Sequence, residues 1–175
     1  MIRRTFSSIG EYILLMLRVF KRPDRLEQFR NQVFIEFKLL GIESLSIIAI
    51  ISVFMGAVLA MQTAYSIDSP LIPRYTIGYI TRSSIVLEFS ATIMSLIMAG
   101  KVGSRIASEL GSMRVTEQID ALDVMGINSA NFLIFPKIVA FVLIFPVLVV
   151  ISMFLGVMGG YMVAVLTDLF SVETY

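Results

Sequence analysis

IVAFVLIFPVLVVISMFLGVMGGYMVAVL, residues 138–166, holds no charged side chain. A helix crosses a hydrocarbon core ~30 Å thick with about 20 apolar residues, and this run is longer than that. It is expected to tilt, to kink at Pro146, or to loosen near Gly156, Gly159 and Gly160. Upstream, Leu45 to Met61 is also uncharged, and extending it to Ala64 adds only Gln62 and Thr63. Ser84 to Gly100 is apolar with one ionisable exception, Glu88. Three crossings fit, so the fold class is an all-α integral membrane protein. With 57% hydrophobic residues, 15% charged residues and a mean hydropathy of +0.88, the composition agrees; soluble domains carry nearer 25% charged residues.

The flanks complete the organisation. Over 1–43 the pattern is amphipathic: Ile13, Leu14, Leu17 and Phe20 share one helical face, and Phe29, Val33, Phe37 and Leu40 share another opposite Glu27, Arg30, Asn31 and Lys38. Such helices are expected to lie in the headgroup plane, a soluble helical hairpin being the alternative. The start, MIRRTF, has the basic flank of a signal peptide. Glu11, Arg18, Lys21 and Arg22 interrupt the apolar core that such a peptide needs, so the N-terminus is expected to be retained. A first span follows at 44–65, then a link at 66–82 that Pro70 and Pro73 break too much to span, expected as a connector outside the bilayer core. The second span covers 83–110, a polar region with a short helix 111–131, the third span 132–166 and a tail 167–175.

Lysines and arginines set the orientation. Eight of them, Arg3 to Lys38, precede the first span, and Lys101, Arg105, Arg114 and Lys137 lie between the second and third. The link at 66–82 has only Arg74 and Arg82, and the tail none. The N-terminus and the region 111–131 are therefore expected on the cytoplasmic side, with the link and tail opposite.

Several chemistries are excluded. Cysteine and histidine are absent, which removes disulfides, thiolate nucleophiles, imidazole bases and the usual zinc sites, and no metal site is expected. One spanning carboxylate forms no acid/base pair, so no catalytic residue is assigned. No basic tract interleaved with aromatics points to nucleic acid. Gly100-Lys101 is followed by Val102 and lacks a glycine-rich lead-in, so no phosphate-binding loop is present.

Within the polar region Thr116 reads as an N-cap, Glu117 and Asp120 as first-turn acids, and Gly126 as the stop of a short helix. Ile119, Leu122 and Met125 can share a face, while Glu117, Asp120 and Asp123 repeat every three residues along another. That face either docks a partner or packs on the chain's own helices. Glu88 either faces a water-containing cavity or sits near an interface, since a carboxylate at the bilayer centre costs about 2.5–3.5 kcal/mol on insertion scales. Gln62 lines a polar mouth or marks the interface. Gly56 with Ala60, and Gly156 with Gly160, have the small-xxx-small spacing of close helix approach, within one chain or between copies.

The run AGKVGSRIASELGSMRVTEQIDALDVMGI at 99–127, followed by FPKIVAFVLIFP and LGVMGG, resembles the MlaE-type permeases, membrane subunits of Mla and Mce lipid transporters of the ABC class. MGAVLAMQ at Met55–Gln62 and the amphipathic start add weaker similarity. The resemblance implies a permease subunit with no cofactor of its own, working with a cytoplasmic ABC ATPase that binds ATP and Mg. It also implies a second permease copy forming a homodimer, an MCE-domain substrate-binding protein on the far side, and lipids as cargo in a bacterial inner membrane. It makes Glu117, Gln118, Asp120, Ala121 and Leu122 a coupling helix on the ATPase, with Arg114, Ile119, Asp123 and Met125 completing that surface. Glu88 and Gln62 are assigned to the lipid pathway. Such permeases carry a glutamate at the point of Glu88 in a Glu-Leu-Gly-Pro context; here it is Glu88-Phe89-Ser90-Ala91. The family has five transmembrane helices, so the chain is expected to be a partial permease. A transporter or channel not driven by ATP, and a membrane scaffold recruiting a cytoplasmic partner, are the alternative functions.

Overall fold

The computed structural model describes residues 2–20, 26–67, 73 and 75–167. Among these, the regular elements are helices: α1 Ile2–Val19, α2 Leu26–Phe37, α3 Glu43–Ser66, α4 Tyr75–Ser84, α5 Ser90–Val115, α6 Gln118–Val124 and α7 Ser129–Thr167. One-turn π segments, Lys38–Ile42 and Ile85–Phe89, join α2 to α3 and α4 to α5. The chain thus contains three long helices, Leu26–Ser66, Tyr75–Val115 and Ser129–Thr167, of 41, 41 and 39 residues, each apolar enough to cross a membrane. At ~1.5 Å per residue each is about 60 Å long, twice a hydrocarbon core. Each therefore has room for a lipid-crossing section and a polar extension.

The helices extend beyond the expected spans at three places. The first span does not start a new helix at residue 44, because α2 runs into it through the π segment. The link expected over 66–82, too broken by proline to span, is helical from Tyr75, with the Thr76 N–H donating to the Pro73 carbonyl at 3.0 Å. Pro73 precedes the helix, where a missing N–H interrupts nothing. The third helix begins at Ser129 and continues past Pro136 and Pro146. Residues 21–25, 68–72 and 74, and the tail from 168 onward, lie outside the described residues.

Two compact units are formed. The first comprises Met1–Gly41 and Val102–Ile144. Asn128 caps α7, its Oδ1 accepting from the Asn131 N–H at 3.4 Å. Its Nδ2 donates to the Arg18 carbonyl at 3.0 Å, and Asn131 Nδ2 donates to the Val19 carbonyl at 2.6 Å. The last carbonyls of α1 are thus satisfied by the first turn of α7. Phe135 packs edge-on against Phe20 (5.8 Å between ring centroids) and stacks on Phe29 (5.1 Å). Leu40 is buried and Phe29, Val33 and Phe37 are half-buried, as the α2 pattern predicts. By contrast Ile9, Ile13, Leu14 and Leu17 are exposed among the described residues, and Phe20 remains largely exposed beside Phe135.

The second unit comprises Ile42–Lys101 and Phe145–Tyr175. In it α3 and α7 run in the same direction with residues one hundred apart facing each other. Ser52 Oγ donates to Ser152 Oγ at 2.9 Å in a buried bond. One turn on, a Cβ at Gly56 would stand 1.8 Å from the Gly156 carbonyl oxygen, and one at Gly159 would stand 2.1 Å from that of Val53. Ala60, Ala64, Ile77 and Ala164 extend the contact as a buried cluster. The small residues of both helices therefore serve packing within the chain, where they allow backbone to approach backbone.

Candidate functional site: the short exposed helix and its supports

Between α5 and α7 the backbone reverses twice in very few residues. The Thr116 N–H and Oγ1 both donate to the Ser112 carbonyl, at 3.0 and 2.9 Å. Thr116 therefore belongs to the end of α5 and is not the N-cap of α6, a correction to the sequence reading. Its hydroxyl is taken up by the carbonyl four residues earlier, a common local bond for threonine. The N-cap position belongs to Glu117, which adopts a left-handed conformation with φ of 57°. The stop at Gly126 is as expected, with φ of 74°. Its N–H donates to the Asp123 carbonyl at 3.0 Å and the Ile127 N–H to that of Leu122 at 3.1 Å, the paired bonds of a Schellman ending.

No residue of α6 is fully buried. Ile119 and Leu122 are half-buried, while Arg114, Glu117, Gln118, Asp120, Asp123 and Met125 are exposed. The apolar face is therefore divided. Ile119 and Leu122 turn partly inward, and the apolar groups left outside are Val115, Val124 and Met125, at 85%, 89% and 66% exposure. Arg114 and Asp120, both assigned to the coupling surface by the resemblance, form an ion pair with each other.

Glu88 and Gln62 lie in the second unit, both exposed. Glu88 sits within the π segment Ile85–Phe89, where one extra residue per turn shifts side-chain directions along the helix. Beside that segment is a cavity of about 20 Å³ lined by Ser52, Gly56, Phe89, Ser90 and Ser152 among others. Glu88 is not part of its lining. Among the described residues, no three acidic side chains gather as a metal site.

A polar cluster that the sequence reading missed lies in the first unit. Lys137 Nζ on α7 pairs with Glu109 Oε2 on α5 at 2.8 Å and with Glu36 Oε1 on α2. The Lys137 and Glu36 side chains are only 4% and 5% exposed, whereas Glu109 is 39% exposed. A signal was present: Glu36 falls three residues after Val33 on the apolar face of α2, where a carboxylate needs a buried partner.

Residues 33–175 match the family described as Permease MlaE. The chain belongs to the MlaE permease family. It is 36% identical over 172 residues to a "probable ABC transporter permease protein" of Rickettsia bellii, covering 98% of this chain and 66% of that one. A similarly named protein of Rickettsia felis is 33% identical over 159 residues, covering 91% and 61%. The "intermembrane phospholipid transport system permease protein MlaE" of Haemophilus influenzae is 31% identical over 130 residues, covering 74% and 49%. The chain spans about two thirds or less of the length of these relatives. As an MlaE permease family member with three helices able to cross a membrane, it is a membrane protein.

Proposed function

We propose that this chain is the permease subunit of an ABC-type transporter that moves phospholipid between membranes, and that α6 is where a cytoplasmic ATPase delivers its force. The observation that carries this reading is α6 itself. It is a separate seven-residue helix bounded by Glu117 and Gly126, exposed, and joined directly to the ends of two helices long enough to span a bilayer. A push on so short a segment has little outlet except through α5 and α7. Val115, Val124 and Met125 supply the apolar anchors and Asp120, Asp123 and Glu117 the polar rim, the division found at protein interfaces. The energy source resides in the partner, which binds ATP and Mg. The subunit works as a homodimer with an MCE-domain protein on the far side of a bacterial inner membrane. The N-terminus and α6 face the cytoplasm, in keeping with the concentration of Lys and Arg there. The exposed apolar stripe of α1 lies among the lipid headgroups, and Glu88 and Gln62 border the lipid pathway.

The test is co-purification from native membranes of the tagged chain, with and without Asp120→Arg. Recovery of an ABC ATPase with the unaltered chain, and its loss on charge reversal, is expected. Equal recovery with both would remove α6 from the interface, and no ATPase with either would remove the ABC assignment.

A further inference from the structure

The cluster Glu36–Lys137–Glu109 has no part in the docking surface, yet it links the three helices that converge behind it. Glu109 lies six residues before the end of α5, and Lys137 eight residues after the start of α7. Their 2.8 Å bond closes residues 110–136, with α6 inside, into a loop whose two stems cannot splay without breaking an ion pair. The second bond of Lys137 adds α2, through Glu36. An ammonium is suited to this role because it offers three donors and can serve carboxylates on two helices at once.

Stability alone is a poor reason for such a group. A buried ion pair loses hydration that its Coulomb attraction barely restores, and well-packed apolar replacements are often neutral or stabilising. The satisfaction here is also incomplete, since Glu36 Oε2 is buried with no hydrogen-bond partner among the described residues. What an ion pair provides and an apolar contact does not is directional attachment at one register. Asn128 and Asn131 add a second, independent tie in the same unit, from the start of α7 to the end of α1.

We propose that Lys137 is the positioning residue of force transmission: by pinning α5 and α7 together at Glu109, and both to α2 at Glu36, it makes the stems of α6 move as one body. The proposal rests on the reading of α6 as an ATPase contact. Without the pin, ATPase binding persists but the displacement of α6 is spent in separating its stems.

The experiment compares the native complex carrying this chain with the Glu36→Met/Lys137→Met double variant, in liposomes of phosphatidylethanolamine and phosphatidylglycerol. ATPase co-purification, thermal midpoint, ATP turnover and transfer of fluorescent phosphatidylglycerol are measured on each. Unchanged ATPase recovery and thermal midpoint are expected, with lipid transferred per ATP falling at least about fivefold, the lower range of an inter-site coupling. Lys137→Arg should restore most of the transfer. Glu109→Ala, which removes the acceptor and leaves the buried Lys137–Glu36 pair intact, guards against misfolding of the double variant and should uncouple in the same way. Normal transfer per ATP in a folded Glu109→Ala or double variant overturns the proposal. Failure of the unaltered chain to recover any ATPase would instead overturn the assignment of function on which it rests.

Discussion

Gly56 and Gly156 meet backbone to backbone: a methyl group on Gly56 would stand 1.8 Å from the Gly156 carbonyl oxygen. The relation is not symmetric, because a Cβ on Gly156 meets the Ile85 side chain at 3.0 Å and backbone, the Ser52 carbonyl oxygen, only at an ordinary 3.6 Å. Gly56→Ala should therefore push α3 from α7 and lower stability by about 1–3 kcal/mol, the usual penalty of overpacking. Gly156→Ala should be milder, since Ile85 can yield. The thermal midpoints of the two variants in detergent measure the difference, and equal midpoints would deny the close crossing.

Asn131→Ala removes the donor to the Val19 carbonyl, at a residue wholly buried in the first unit. A buried carbonyl left unpaired costs about 1–3 kcal/mol, so the end of α1 should detach before the rest of the chain unfolds. Hydrogen exchange should quicken at Met16–Phe20 while α3 and α7 remain protected. Uniform protection along the chain would contradict the clamp.

At Glu117 the left-handed backbone conformation disfavours an L side chain by about 1–2 kcal/mol. Glu117→Gly should leave thermal stability equal or slightly higher, whereas Glu117→Val and Gly126→Ala should lower it. A stabilising effect of Glu117→Val would show that the turn does not hold this geometry in the protein. If Glu117 touches the ATPase, Glu117→Gly weakens that association without loss of fold.

Glu88→Gln keeps the shape of the side chain and removes its charge. On the proposed placement of Glu88 beside the lipid pathway, ATP-driven transfer should fall while membrane insertion and ATPase association stay intact. Normal transfer would return the residue to an interfacial, snorkelling role.

The Arg114–Asp120 pair is exposed on both sides, at 64% and 53%. Such pairs contribute at most about 1 kcal/mol and are screened by salt. Asp120→Asn should hardly move the thermal midpoint, so weaker ATPase association in this variant reports on the contact and not on folding. A large loss of stability would assign the pair a structural role.

The sequence by itself determined the lipid-facing character and the number of long helices, because crossing a hydrocarbon core demands a length of uncharged residues that can be counted. It also determined the stop at Gly126, since a backbone with positive φ selects glycine locally. Other features required tertiary structure. Thr116 was legible as a polar residue before a helix, but whether its hydroxyl faces forward or back onto Ser112 depends on where α5 ends. The π segments that fuse α2 to α3 and α4 to α5 have no local signature, and they appear only when neighbouring helices set the register. Likewise the small-xxx-small spacings of Gly56 with Ala60 and Gly156 with Gly160 fit packing within or between chains, and only the facing of α3 and α7 assigns Gly56 and Gly156 to the former. The sharpest case is Lys137. Its charge was read as a marker of orientation, whereas its partners, 28 and 101 residues away, are joined to it by the fold alone. A buried charge is defined by what surrounds it, and that is information carried by packing between helices distant in sequence.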